Sequence, residues 1–182
     1  MSACHALRAL CLPLLLGSCS ASTAPHNELL PLLVAIEQRL ELARSVAHHK
    51  WEHALAVDAP AREQQVLAQV RRAAPDYGLS PERAETFFAD QIEANKLVQY
   101  ALLDRWAARG QNSLSSTRDL THELRPRLDS LQFTLLNELA ALDRQPPADC
   151  PRALANALIR RTQDPLRHLA LIRATGQLCK KH

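Results

Sequence analysis

Little in this chain favours strand. Only 4 of its 182 residues are glycine and 4% are aromatic, and no stretch alternates apolar with polar over a useful length. No block of like charge stands out either, because 22 basic residues are interspersed with 19 acidic ones for a net charge of +3. Without a basic run, or basic residues interleaved with aromatics, the chain has no nucleic-acid surface to offer. The nucleophile-elbow pattern G-x-S-x-G is absent, and the cysteines are better used structurally. No apolar run is long enough to span a bilayer, so no transmembrane helix is expected.

What is abundant is Leu, Ala, Arg, Glu and Gln, the straight-chain helix formers. The length suits one domain with a sizeable core. The fold expected is all-α, a single-domain bundle of about six helices, three of them long. It falls into an N-terminal group over residues 28–110 and a C-terminal group over 117–182, with no internal repeat.

The first 19 residues read as a targeting segment. Arg8 is their only charged side chain, and the apolar run of residues 9–16 follows it, as in a signal peptide. Leu16-Gly17-Ser18-Cys19 fits a bacterial lipoprotein box, in which Cys19 becomes the lipidated first residue and the only link to a membrane. Cleavage after Ala21 or Ala24 is the competing reading. Either way the mature chain leaves the cytoplasm, for the periplasm or beyond. Of five cysteines, Cys4, Cys11 and Cys19 lie in this leader region. The remaining two, Cys150 and Cys179, most simply form one disulfide in an oxidising compartment. It would staple the last two helices and contribute about 3 kcal/mol by closing a loop of about thirty residues.

From residue 28 an amphipathic pattern runs through Leu29, Leu33, Ile36, Leu40, Ala43, Ala47, Trp51 and Leu55, a long first helix with Pro31 in its opening turn. Val57-Asp58-Ala59-Pro60 ends it and starts a second, which stops before Pro75-Asp76-Tyr77-Gly78. Ser80-Pro81 caps a third, continuing through Phe87, Phe88, Ile92, Leu97, Tyr100, Leu103 and Trp106 to Gly110. A polar linker follows, then a fourth helix over about residues 120–142. Pro126 either sits near its start or kinks it. Two shorter helices open at Pro151 and Pro165, each preceded by an aspartate.

Two cations stand out on the first helix. Arg39 and Lys50 are eleven residues apart, which at about 100° per residue is roughly 20° past three turns, so they share a face. That face also carries Ala43, Val46 and Ala47, small or apolar residues suited to close packing. Buried cations need anionic partners, and no acid nearby matches both. The inference is a pocket for a small anion with more than one carboxylate. Arg62-Glu63 on the second helix and Asn95 with Gln99, one turn apart on the third, are further candidates. His49-Lys50-Trp51-Glu52-His53 matches the inverted zinc-protease pattern, but no third ligand is indicated and no metal is expected.

Taken together, Arg39, Lys50 eleven on, Arg62 twelve beyond, and Asn95 followed four later by Gln99 resemble the pattern of the all-helical (AroQ-type) chorismate mutases, specifically their secreted gamma subclass. The contexts V-A-x-x-K-W, R-E and F-F-x-D-Q-I-x-A-N-K-x-x-Q-Y look like the family too. In that subclass the C-terminal half adds one more Arg to the pocket, here Arg125, and carries a disulfide, which Cys150 and Cys179 match. The resemblance implies conversion of chorismate to prephenate, a one-substrate pericyclic rearrangement that requires no nucleophile, metal or cofactor. Lys50 and Gln99 would donate to the ether oxygen, which gains negative charge as its bond breaks. Arg39, Arg62 and Arg125 would hold the carboxylates, Asn95 would assist one of them, and Glu63 would accept from the ring hydroxyl.

Two departures are visible. Some members carry an acid three before the second-helix Arg, where this chain has Ala59, so the hydroxyl contact rests on Glu63. Asn95 replaces the commoner Ser or Thr. An isochorismate pyruvate-lyase of the same fold and a non-catalytic helical lipoprotein are the rival readings. The first usually lacks so long a C-terminal extension. Pairing of two chains into a homodimer is left open by the sequence.

Overall fold

The computed structural model describes residues 28–111 and 120–180. The leader, with Cys19, and most of the expected polar linker lie outside the described residues. Six α-helices make up the bundle: α1 (Leu30–Glu52), α2 (Pro60–Ala73), α3 (Pro81–Ala108), α4 (Arg125–Arg144), α5 (Cys150–Ile159) and α6 (Pro165–Ala174). There is no strand among the described residues. The expected fold class holds, and no helix of the described residues is long and apolar enough to cross a membrane.

Helix α1 is the axis of the fold, packed on α3 and on α4, while α3 also carries α2 and α6. Leu32, Leu33 and Ile36 of α1 meet Phe87 and Phe88 of α3, Leu135, Leu136 and Leu139 of α4 and Leu171 of α6 in the main core. Further along α1, Leu42 and Val46 pack on Leu124, and Ala47 packs on Leu102 and Trp106. A helix apolar on nearly every side is one buried on nearly every side. The face bearing Arg39 and Lys50 falls between these apolar contacts, and both cations are buried.

The caps follow the sequence signals. Ser80 Oγ accepts from the Arg83 N–H at 3.1 Å, and Asp149 and Asp164 cap α5 and α6 in the same way. Pro126 sits in the first turn of α4, directly after a π-helical turn, Leu120–Leu124. The wider turn suits a residue that lacks an N–H and whose ring crowds the carbonyl four back. The Cys150–Cys179 disulfide is formed, with Cα atoms 5.6 Å apart.

Helix α1 ends earlier than its apolar pattern predicts. Leu55, read as part of the stripe, lies beyond the helix and is 46% exposed. The Leu55 N–H returns to the Lys50 carbonyl at 2.8 Å and the Ala54 N–H to that of Trp51 at 3.4 Å, a Schellman motif with Ala54 at φ +50°. Gly78 and Gly110 fill the corresponding left-handed position after the 3₁₀ turn Ala74–Tyr77 and after α3. Ala54 does so with a Cβ in the way. Ala54→Gly is therefore expected to stabilise the protein by about 0.5–1 kcal/mol, the relieved left-handed strain less the added freedom of the unfolded chain. Urea unfolding of the variant against the parent checks it.

Candidate active site

Four helices and one loop surround an open cleft. Arg39, Val46 and Lys50 come from α1, Val57 and Ala59 from the loop after it, and Arg62, Glu63 and Val66 from α2. Ile92, Asn95, Lys96 and Gln99 come from α3, and Leu128, Asp129 and Gln132 from α4. Six of the seven substrate-site candidates read from the sequence are thus brought together: Arg39, Lys50, Arg62, Glu63, Asn95 and Gln99. Arg125 is not among the lining residues. It is exposed at the first position of α4, near enough for its charge to act on Lys50.

The cations around the cleft are compensated very unequally. Lys96 is bracketed by Glu93 at 2.8 Å, Asp58 at 3.0 Å and Glu63 at 3.5 Å. The hydrogen bond to Glu93, and then those other carboxylates, hold its proton on well above the ordinary lysine range. Arg62 reaches across to α4, where its Nη2 donates to Asp129 Oδ1 at 2.5 Å, and its Nη1 donates to Gln65 at 2.9 Å. Arg39 and Lys50 have no ion-pair partner among the described residues. Arg39 is 7% exposed, and its Nε, buried, has no acceptor among the described residues. Burial pushes its guanidinium down to about 10, with Asp129 pulling it up and Arg62 pushing it further down. Lys50 donates to the carbonyl oxygen of Val57 at 2.5 Å. Burial lowers its pKa from the ordinary lysine value, against the favourable fields of Glu63 and Asp58.

The amides are placed differently from one another. Asn95 donates to the backbone carbonyl of Arg39 at 3.4 Å, tying α3 to α1 beside the guanidinium. Gln99 is buried, and its side-chain oxygen meets no donor. A buried amide oxygen without a donor costs on the order of 1–3 kcal/mol, and no group among the described residues satisfies this one. Glu63 is divided between two tasks. One carboxylate oxygen caps α2 by accepting from the Ala59 N–H at 3.0 Å, and the other faces Lys96.

Among the polar lining residues, Lys96 of α3 and the α4 pair Asp129 and Gln132 were not selected by the sequence reading. The α4 pair had a signal. Both lie on the stripe that Arg125 begins, four and seven residues further on, so the helical period was the available signal. The histidines of the zinc-like pattern lie apart from the cleft. His49 and His53 stack ring on ring at 4.1 Å, and His48 turns toward Glu52 at 3.7 Å. Among the described residues no three His, Cys, Asp or Glu side chains group as metal ligands would.

The arrangement is a cleft with two buried, unpaired cations, a third cation spanning its edge, and a free amide. Such a site takes up a compact dianion and offers N–H donors to a further oxygen on it. Residues 30–100 match the family model described as chorismate mutase type II. The secreted chorismate mutase of Mycolicibacterium smegmatis is 33% identical over 172 residues, covering 90% of this chain and 93% of the relative. That of Mycobacterium tuberculosis is 28% identical, covering 91% and 85%. The crystal structure of the chorismate mutase from Burkholderia phymatum superposes with a TM-score of 0.77 at 35% identity, covering 85% of this chain and 98% of that one. By sequence and by fold, this chain belongs to the type II chorismate mutases.

Proposed function

We propose that the cleft between α1, α2, α3 and α4 is where this enzyme rearranges chorismate to prephenate, acting outside the cytoplasm. The observation that carries the assignment is the pair Arg39 and Lys50, buried, in no ion pair among the described residues, and facing one cleft with Gln99. Chorismate is a dicarboxylate with an ether bridge and a ring hydroxyl, and the reaction is a Claisen rearrangement within that one molecule. Its barrier falls when the molecule is held folded and when charge developing on the ether oxygen meets fixed donors. Arg39 and Arg62 take the carboxylates, joined by Arg125 as its side chain turns inward from the first turn of α4. Asn95 supports one carboxylate while holding the Arg39 backbone. Lys50 and Gln99 donate to the ether oxygen, and Glu63 accepts from the hydroxyl. No residue forms a covalent bond and no cofactor takes part.

The apolar leader and the two relatives named as secreted enzymes support export to the periplasm or beyond. The mass of the mature protein distinguishes lipidated Cys19 from cleavage after Ala21 or Ala24.

Incubation of the purified protein with chorismate tests the assignment. Loss of the diene absorbance with prephenate as product is expected. No turnover, or release of pyruvate from isochorismate in its place, overturns it. Gln99 gives a sharper check, because an amide donates at any pH whereas a carboxyl donates only when protonated. The parent is expected to keep a nearly flat rate across neutral pH, and Gln99→Glu to be active only in acid. A variant profile that matches the parent's removes Gln99 from the site.

A further inference from the structure

Residues 54–59 join α1 to α2, and their bonds run to three different helices. The Val57 carbonyl accepts from Lys50 of α1 at 2.5 Å, and the Val57 side chain, 5% exposed, walls the cleft. The Asp58 carboxylate accepts from the Tyr100 hydroxyl at 2.6 Å and pairs with Lys96 at 3.0 Å, both on α3. The Ala59 N–H is held by Glu63 of α2.

Asp58 and Tyr100 are both exposed and neither lines the cleft. Polar pairs at such surfaces add little stability. What this pair fixes is a position. The carbonyl of Val57 belongs to the same planar peptide unit as the N–H of Asp58, so anchoring the Asp58 side chain to α3 also anchors the oxygen that receives the Lys50 ammonium.

We propose that Asp58 and Tyr100 are positioning residues of this enzyme, a latch between the α1–α2 loop and α3 that sets where the Lys50 ammonium stands in the cleft. The inference rests on the reaction proposed above for the part it assigns to Lys50. Its consequences divide between geometry and field. The charged groups that act on the ammonium are Glu63 from α2, Asp58 from the loop, Arg125 from α4 and Lys96 from α3. The two carboxylates favour its charged form, and the two cations oppose it. Asp58→Asn removes one of the two favourable charges and the ion pair with Lys96, and leaves Tyr100 a neutral amide oxygen in place of the carboxylate. Tyr100→Phe removes the latch bond and leaves the charge.

Both variants are expected to lower kcat about ten-fold, the scale of a small displacement of a catalytic group, with KM changed less because neither residue faces the cleft. In Asp58→Asn the basic limb of the pH–rate profile moves to lower pH, while in Tyr100→Phe it stays where the parent has it. A merely structural contribution lowers both rates and moves neither limb.

The Lys50 side-chain resonance, assigned by its loss in Lys50→Met, is titrated in all three proteins and reads the same difference without turnover. A lower midpoint in Asp58→Asn than in Tyr100→Phe and the parent, together with the lowered kcat in both variants, supports the latch. Equal midpoints in all three, or parental kcat in both variants, overturn it. A parent that does not turn over chorismate defeats the proposed reaction instead, and the titration still decides whether Asp58 governs Lys50.

Discussion

Arg39→Met is expected to abolish most turnover and at the same time make the free protein more stable. Arg39 is buried, in no ion pair among the described residues, with Asp129 near enough only for its field to act, and its Nε has no acceptor among them. Its folded pKa of about 10 lies well below the ordinary arginine value. Between those two values the unfolded chain binds more protons, so stability rises with pH through that window, and at neutral pH the whole burial cost is in force. Methionine fills comparable space without a charge. A gain of about 1–3 kcal/mol in unfolding free energy follows, read as a higher urea midpoint at unchanged slope. The same substitution removes a carboxylate clamp from the cleft. Losing one partner of a buried charged contact costs about 2–5 kcal/mol, so kcat/KM should fall by about three orders of magnitude. A variant both inactive and less stable than the parent would mean that Arg39 is internally compensated and that the cleft is not built around it.

Arg83→Ala should produce the largest loss of stability. Arg83, in the first turn of α3, is 4% exposed. Its Nε and Nη2 hold both oxygens of Asp143 at 2.9 and 2.8 Å, and Nη1 and Nη2 reach the carbonyls of Gln177 and Leu178 at 3.0 and 2.8 Å. One planar side chain thus joins α3, the end of α4 and the tail after α6. Truncation strands a carboxylate and two carbonyls, at a cost of about 3–5 kcal/mol. Lysine will not restore it, since a single ammonium cannot reproduce the fork. The disulfide holds Cys179, next to Leu178, from the other side, so the two ties should couple. Thermal unfolding of Arg83→Ala with the bridge intact and reduced tests this, and a purely additive loss would show that they act on separate segments.

Much of the site was legible because helical spacing is arithmetic. Eleven residues place Arg39 and Lys50 on one face, four place Asn95 and Gln99 together, and the resemblance linked those pairs to Arg62. What spacing does not report is how a helix is turned about its own axis against its neighbours. Nor does it report where along its length a helix meets a cleft: on α4 Asp129 and Gln132 line it, while Arg125, a turn earlier at the helix start, is exposed although all three lie on one stripe. Leu55 continued the apolar period of α1, but the chain had already reversed at Ala54, where an alanine takes a conformation usually left to glycine. Tyr100, named with the large apolar residues of the third helix, is 48% exposed, and its hydroxyl reaches out to Asp58. The fold class was plainer, since composition and capping residues point the same way at each helix start.

From residue 20 onward the chain holds just two thiols, Cys150 and Cys179, and they are joined to each other. Maturation therefore asks a compartment for an oxidant and not for an isomerase, because there is no mistaken partner to be shuffled away. Both cysteines also follow α1 to α3 in the chain, so most of the cleft wall emerges before the link can close.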